Sequence, residues 1–324
     1  MARQARITRI GGPEVIEWID VDLPAPGAGE VQMRSTAVGL NYIDTYFRRG
    51  IYPAELPSGL GSEAAGVIEA VGPGVEGFAV GDRVATFGPE RNAYATARNV
   101  AAAGLFKLPD DISDEIAAAT LLKGCTAEFL ADRAAKVAAG EWTLVHAAAG
   151  GVGLLLVQWL KARGVRVIGT TSTEDKATLA RAAGADEIVF YTREDTAKRV
   201  REITGGAGVR VTYDGVGMDT WESSLDSTGS RGVIISYGNS SAPVTGVALG
   251  ILAQKGSLHV TRPTLFHYYA NPAERLAGSS ALWGMIRSGK IEVTIGQRYA
   301  LEDAAQAHID LEGRRTQGST ILIP

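Results

Sequence analysis

The stretch "HAAAGGVG", His146 to Gly153, sets three glycines and three alanines between the apolar runs "WTLV" and "LLLVQWL". A strand that turns sharply into a helix leaves the first helical N–H groups unpaired beside a partial positive charge, and that arrangement binds phosphate. Against the dinucleotide fingerprint G-x-G-x-x-G the window reads Ala148-Ala149-Gly150-Gly151-Val152-Gly153, with alanine in place of the first glycine. Gly150 lets the backbone touch a pyrophosphate, and Gly153 lets the helix sit against a sheet. The departure at Ala148 weakens the motif only if that turn needs a positive φ. A merely tight turn is the competing reading, and the flanking strand, the helix and the strand units that follow weigh against it.

Which dinucleotide is read depends on the end of the next strand. An NAD-selective site carries a carboxylate there, about 20 residues on, for the ribose 2′-OH. Here Thr170, Thr171 and Ser172 hold that place, the first acid is Glu174, and Lys176 follows. Hydroxyls and an ammonium suit a 2′-phosphate, which a carboxylate would repel. The pattern therefore favours NADPH over NADH, against the plainer reading of Lys176 as a solvated helix residue.

Other chemistries lack their residues. The sole cysteine, Cys125, excludes an intramolecular disulfide and any multi-cysteine zinc site, and is read as buried filler in a reducing compartment. His146, His259, His267 and His308 are scattered without ligand spacing, and no Ser/His/Asp set or paired carboxylates stand out. With 45% hydrophobic and 21% charged residues and a net charge of -4, the chain has no basic footprint for nucleic acid. The apolar stretch Leu144 to Leu160 is shorter than the ~20 residues of a membrane span and is broken by Gly150, Gly151 and Gly153. The opening "MARQARITRI" lacks the apolar core of a secretory signal. A soluble, cytoplasmic protein is expected.

The elements that must position these residues change in texture near residue 123. Before it, short β-type runs such as "VQMRSTAV" and "AAGVIEAVG" alternate with turn clusters such as "LPAPGAGE" and "VGPGVEG", which reads as an antiparallel partial barrel. From Thr126 onward helical and strand runs alternate. A helix over "CTAEFLADRAAKVAAG" precedes "WTLVHAA", and "VRVIGT", "DEIVFY", "VRVTYDGVG", "GVIISYG" and "SLHVT" follow as strands. That alternation predicts right-handed crossovers and a doubly wound parallel sheet. Beyond Pro263 the spacing predicts a helix over Ala273 to Ser288, a strand at Ile291 to Val293, a capped helix from "LEDAAQAHI" and a last strand "STILIP". The expected fold class is α/β, with residues 1–123 and 264–324 forming one domain, 124–263 the nucleotide domain, and a cleft between them.

"GLNYIDTYFRRGIYP", "LPSGLGSEAAGVIEAVG", "HAAAGGVG", "YDGVG", "DTWESSLD" and "RRTQGSTILIP" together resemble the zinc-independent NADPH:quinone oxidoreductases, the ζ-crystallin-like group of the medium-chain dehydrogenase/reductase superfamily. The likeness runs nearly end to end and implies a GroES-like partial barrel beside a Rossmann domain. It implies that the nicotinamide lies near Asn41, Tyr42, Asp44 and Tyr46, with Thr126 beneath it. The pyrophosphate would rest on Gly150, Gly151 and Val152, and the 2′-phosphate near Ser172, Lys176 and Tyr191. Tyr237, Gly238, Asn239 and Ser240 would edge the adenosine or ribose. Thr261, Arg262 and Pro263 would lie at the carboxyl edge of the sheet, and Gln317 and Gly318 in a closing loop. Tyr46, Tyr52 and Arg262 are the candidates for lining the acceptor site.

Plainer readings stand beside these. Tyr42 and Tyr46 have helical packing spacing, Asn41 caps a turn, and Asp214 in "YDGVG" orders a strand end. Ser62 stands where zinc alcohol dehydrogenases carry a histidine ligand, which argues against zinc-dependent alcohol oxidation and for no metal. The implied reaction is quinone reduction by NADPH in a homodimer or homotetramer. An alkenal or enone reductase is the rival enzyme, and an NADPH-holding crystallin or RNA-binding role is the rival from another class.

Overall fold

The structure, a computed structural model, describes residues 1–324. It contains two compact units: Met1–Lys123 with Asn271–Ser279 and Val293–Pro324, and Gly124–Ala270 with Ser280–Glu292.

In the first unit the strand Glu30–Leu40 is the hub. Its alternation buries Val31, Met33 and Ala37 and leaves Arg34 outside, the period-two pattern of a sheet with one covered face. It pairs antiparallel with Glu63–Val71, with Ala97–Ala101 and, through Leu40 opposite Thr320, with the last strand Ser319–Ile323. Arg83–Phe87 and Leu105–Lys107 extend the sheet on one side and Ile295–Ala300 on the other, making seven strands. A smaller three-stranded sheet joins Glu17–Val21, Ala2–Ile7 and Ser58–Gly59. Ile7, Met33, Leu40, Leu60, Ile68 and Tyr94 are among the buried residues of this core.

The second unit is a six-stranded parallel sheet. In spatial order its strands are Glu187–Phe190, Arg166–Thr171, Trp142–Val145, Val209–Asp214, Thr228–Ser236 and His259–Thr261. The first strand in sequence thus lies beside the fourth, where the winding reverses and ligands bind outside the carboxyl ends. The helix Gly151–Ala162 follows that first strand and buries Leu154, Leu155, Leu156, Val157 and Trp159. No helix is long and apolar enough to cross a membrane.

Several elements differ from the sequence expectation. The helix expected from Cys125 begins at Asp114, where Ser113 Oγ accepts the Ile116 N–H and two acids favour the helix start, and it ends at Phe129 in a π-helical turn over Leu130–Ala134. No strand forms at Ile291 to Val293; the strand is Ile295–Ala300, which pairs with Ser319–Ile323. The helix after "LED" spans Ala304–Glu312 and has no side-chain cap, because a 3-10 turn over Leu301–Asp303 leads into it. Residues 264–270 and 280–292 fall in the second unit, not the first. Arg133 donates to the Tyr268 carbonyl, Phe129 stacks on Tyr268 and Gln158 accepts the Glu292 N–H, so these segments pack on the nucleotide-type unit.

Candidate functional site

The helix Gly151–Ala162 opens at Gly150, which is extended at φ -80 and ψ 173 and provides no side-chain cap. The first-turn N–H groups of a helix have no intrahelical acceptors, so this start offers donors to an anion. Gly150 N donates to the Ala147 carbonyl at 2.9 Å, and a Cβ added at Gly153 would lie 2.3 Å from the same oxygen. The third glycine therefore lets the helix rest on the turn. The left-handed residue is Ala147, at φ 52, and not Ala148. Alanine at the first fingerprint position costs nothing in φ, and the strain sits one residue earlier. Ala148 meets Gly169 across the sheet, where a Cβ would come within 2.8 Å of its methyl.

At the next strand end Thr170 and Thr171 are buried, Ser172 is half-buried, and the buried Thr171 hydroxyl has no partner. Thr173 caps the helix Glu174–Ala182 by accepting from Lys176 N, which places Lys176 in its first turn. Glu174, the nearest acid, is tied to Arg193 at 2.8 Å and to Arg181 at 3.8 Å. Tyr191 is 38% exposed at the end of the neighbouring strand, where Arg193 lies over the Phe190 ring. Arg193 escaped the sequence reading; its signal was a cation three residues past a strand end.

Farther along the same edge, Arg262 donates to the Ser236 carbonyl at 2.6 Å and, with the Asn239 amide turned so that its oxygen faces the guanidinium, to that oxygen at 3.0 Å. The guanidinium thereby braces the Tyr237–Ser240 loop. That loop packs closely: a Cβ at Gly238 would lie 2.3 Å from the Gly215 carbonyl oxygen. Asp214 orders the strand-end turn, accepting from Val216 N, Gly217 N and the Thr220 hydroxyl. Gly150, Gly151, Val152, Ser172, Lys176, Tyr191, Tyr237, Gly238, Asn239, Ser240, Thr261, Arg262 and Pro263 thus all follow or end strands at one edge of the parallel sheet. Thr126, a residue of the same unit, is buried in the last turns of the helix Asp114–Phe129. This edge fits a dinucleotide by its uncapped helix start, its glycine-lined turn and its hydroxyl and cationic second strand end.

In the first unit, Asn41 precedes the short helix Tyr42–Arg48. Tyr42, Tyr46 and Tyr52 form a ring series, with centroids 6.2 Å apart for the first pair and 5.2 Å for the second. Tyr46 is buried and Tyr52 half-buried. The Tyr42 hydroxyl donates to the Leu311 carbonyl. Gln317 and Gly318 lead into the strand that pairs with Leu40, and Gly318 is left-handed with Thr294 O where a Cβ would stand.

Asp44 turns inward. Its carboxylate accepts from Asn41 N at 2.9 Å, Ser62 Oγ at 2.8 Å and the Tyr94 hydroxyl at 3.1 Å. Burial pushes its pKa up to about 6, against the lowering effect of those bonds and of Lys123. The Tyr94 hydroxyl also lies 2.9 Å from His308 Nε2, and burial, reinforced by Arg48, holds His308 down at about 3. The Asn41 amide donates to Glu63, which also accepts from Leu122 N and pairs with Lys123 at 3.3 Å. Asp44 is thus a brace for Asn41 and Ser62. Lone charges in apolar runs, Glu63 in "GSEAAGV" and Lys123 in "LLKGC", were the signal for this network, and the sequence reading left them aside. No group of three or more His, Cys, Asp or Glu side chains is placed to hold a metal ion.

Comparisons with known proteins cover both units. Residues 27–141 match the alcohol dehydrogenase GroES-like domain, and residues 151–273 match the zinc-binding dehydrogenase family model. A quinone oxidoreductase from Pseudomonas aeruginosa is 52% identical over 325 residues, spanning 100% of both chains. A 2-haloacrylate reductase from a Burkholderia species is 42% identical, over 100% of this chain and 99% of its own. The crystal structure of Escherichia coli quinone oxidoreductase complexed with NADPH superposes with a TM-score of 0.97 at 47% identity, covering 99% of this chain and 100% of that one.

Proposed function

Since the chain belongs to the quinone oxidoreductases of the medium-chain dehydrogenase/reductase superfamily, we propose that it reduces quinones with NADPH. The observation that carries the coenzyme choice is the carboxyl edge of the parallel sheet. An uncapped helix starts at Gly150 there, and Ser172 and Lys176 stand where an NAD-selective site has a free acid.

The close-approaching backbone of Gly150 and the free N–H groups of Gly151 and Val152 take the pyrophosphate. Ser172, Lys176 and Tyr191, joined by Arg193, take the 2′-phosphate, because ammonium, guanidinium and hydroxyl donors favour a dianion. Tyr237, Gly238, Asn239 and Ser240 edge the ribose or adenosine, with Arg262 bracing that loop and Thr261 and Pro263 beside it. Asn41, Tyr42, Thr126, Gln317 and Gly318 are the further coenzyme contacts of this reading. Asp44 holds Asn41 in place. Bound NADPH supplies a hydride equivalent. The protein contributes alignment and the exclusion of water. Tyr46 and Tyr52 line the acceptor site, and the Tyr52 hydroxyl donates to the acceptor oxygen as negative charge develops.

The reading includes a homodimer or homotetramer, a cytoplasmic location and no nucleic-acid partner. Light scattering tests the assembly, and a monomer at micromolar concentration would exclude it. A second reading, reduction of an activated C=C bond, is favoured by the full-length similarity to the 2-haloacrylate reductase. Steady-state NADPH oxidation with 1,4-benzoquinone and with 2-alkenals separates the two. The quinone is expected to be the better acceptor; about a tenfold higher kcat/KM for the alkenal would replace the assignment.

A further inference from the structure

Beneath the turn at Gly150 runs a buried chain of side chains that the functional reading leaves unused. Asp214 Oδ2 accepts from Ser224 Oγ at 2.6 Å, and Ser224 Oγ lies 3.1 Å from His146 Nε2. His146 Nδ1 lies 3.3 Å from Thr170 Oγ1, which in turn accepts the Ala147 N–H at 3.1 Å. Asp214, Ser224, His146 and Thr170 are each no more than 2% exposed.

The chain has one direction. The Ser224 hydroxyl proton goes to the Asp214 carboxylate, so its lone pair must take a proton from His146 Nε2–H. That assignment leaves Nδ1 bare, ready to accept from the Thr170 hydroxyl, whose own lone pair faces Ala147 N–H. Every donor in the series meets an acceptor, and burial keeps the imidazole neutral by lowering its pKa. The chain ends on the one residue of the turn with a left-handed backbone that alanine disfavours, Ala147 at φ 52. The carbonyl of Ala147 accepts from Gly150 N, and Gly153 packs against that carbonyl, so the helix start is seated on Ala147.

We infer that His146 is a positioning residue for coenzyme binding: through Thr170 it pins the strained backbone of Ala147 and so fixes where the helix N–H groups aim. This rests on the coenzyme reading above. A purely structural role would lower the melting temperature and leave coenzyme affinity alone.

The test is a fluorescence or calorimetric titration of the full-length protein with NADPH, with thermal melts in parallel. Thr170→Val keeps the branched shape and removes the hydroxyl; its Kd for NADPH should rise about tenfold, a loss larger than any fall in melting temperature accounts for. Adding Ala147→Gly to that variant should bring Kd back to within about threefold of wild type, because glycine adopts a positive φ without penalty. His146→Asn, whose amide reaches the Nδ1 position, should bind several-fold more tightly than His146→Leu. If either histidine variant fails to fold, the Thr170 pair still decides. A Thr170→Val Kd within twofold of wild type, or no recovery on adding Ala147→Gly, overturns the inference while leaving the coenzyme reading intact. Absence of NADPH binding by the wild-type protein would instead sink that reading.

Discussion

Gly150 and Gly153 sit three residues apart, yet a methyl at each should do different things. A Cβ at Gly153 would lie 2.3 Å from the Ala147 carbonyl oxygen and 2.8 Å from the Ala148 carbonyl carbon and oxygen, all backbone atoms that cannot rotate away. Ordinary heavy-atom contacts lie at about 3.5 Å, so the helix must retreat by roughly 1 Å. Overpacking of that kind costs about 1–3 kcal/mol, which corresponds to a drop in Tm of roughly 3–10 °C. A displacement of about 1 Å at the phosphate donors is enough for about a hundredfold loss in coenzyme affinity. A Cβ at Gly150 meets only the Ala147 oxygen, at 3.2 Å, and requires a shift of a few tenths of an ångström. Gly150→Ala should therefore melt within about 3 °C of wild type, losing only the modest N-cap preference of glycine. Its Kd for NADPH should nevertheless rise at least ~tenfold, because the methyl stands where the backbone must approach the pyrophosphate. Differential scanning calorimetry and NADPH titration on both variants make the comparison. If Gly150→Ala binds NADPH as wild type does, the pyrophosphate does not approach that backbone. If Gly153→Ala is neutral in both measurements, the seating of the helix on Ala147 is wrong.

Lys176→Glu, which places an acid in the first turn after the second strand end, should reduce the ratio of kcat/KM for NADPH over NADH by about a hundredfold, read from parallel steady-state assays. His308 should make the protein acid-sensitive. Its pKa falls from 6.5 unfolded to about 3 folded, so its neutral form contributes fully above pH 6.5 and that stability, ~5 kcal/mol at most, is lost as pH falls towards 3. Asp44, raised to about 6 from 3.8, acts in the opposite sense: ionising it in the folded state costs stability as pH rises through that window. Denaturant unfolding at pH 4 and pH 7 should show His308→Gln with a flatter acid loss than wild type. Glu312→Ala strips the partner from the buried Arg48, two of whose guanidinium nitrogens already lack acceptors, and should destabilise the protein by about 3 kcal/mol in the same unfolding assay.

The parallel sheet was legible because its strands are nearly continuous apolar runs separated by helical periodicity, and because a strand-to-helix turn rich in glycine has few other uses. The dinucleotide edge followed from that order, since the residues that follow each strand end must share one side of the sheet. The brace around Asp44 was not legible. Asp44, Tyr94 and His308 are brought together by strand pairing and a C-terminal helix across 264 positions, and no local pattern links them. The sequence leaves open whether the turn needs a positive φ at Ala148, because a consensus fixes which residues are glycine and not where the backbone strain falls; the left-handed residue is Ala147. The helix from Asp114 was read late because its apolar residues run around the whole helix, as in a buried element, leaving no amphipathic stripe to mark the start.

Enzyme dialysed against a chelator, supplied with 1,4-benzoquinone and with NADPH or NADH in turn, gives the most direct test. Turnover should survive dialysis undiminished and should favour NADPH by about a hundredfold or more in kcat/KM. Loss of turnover that added zinc restores, or equal use of the two coenzymes, would contradict a metal-free reaction built on a 2′-phosphate site at Ser172 and Lys176.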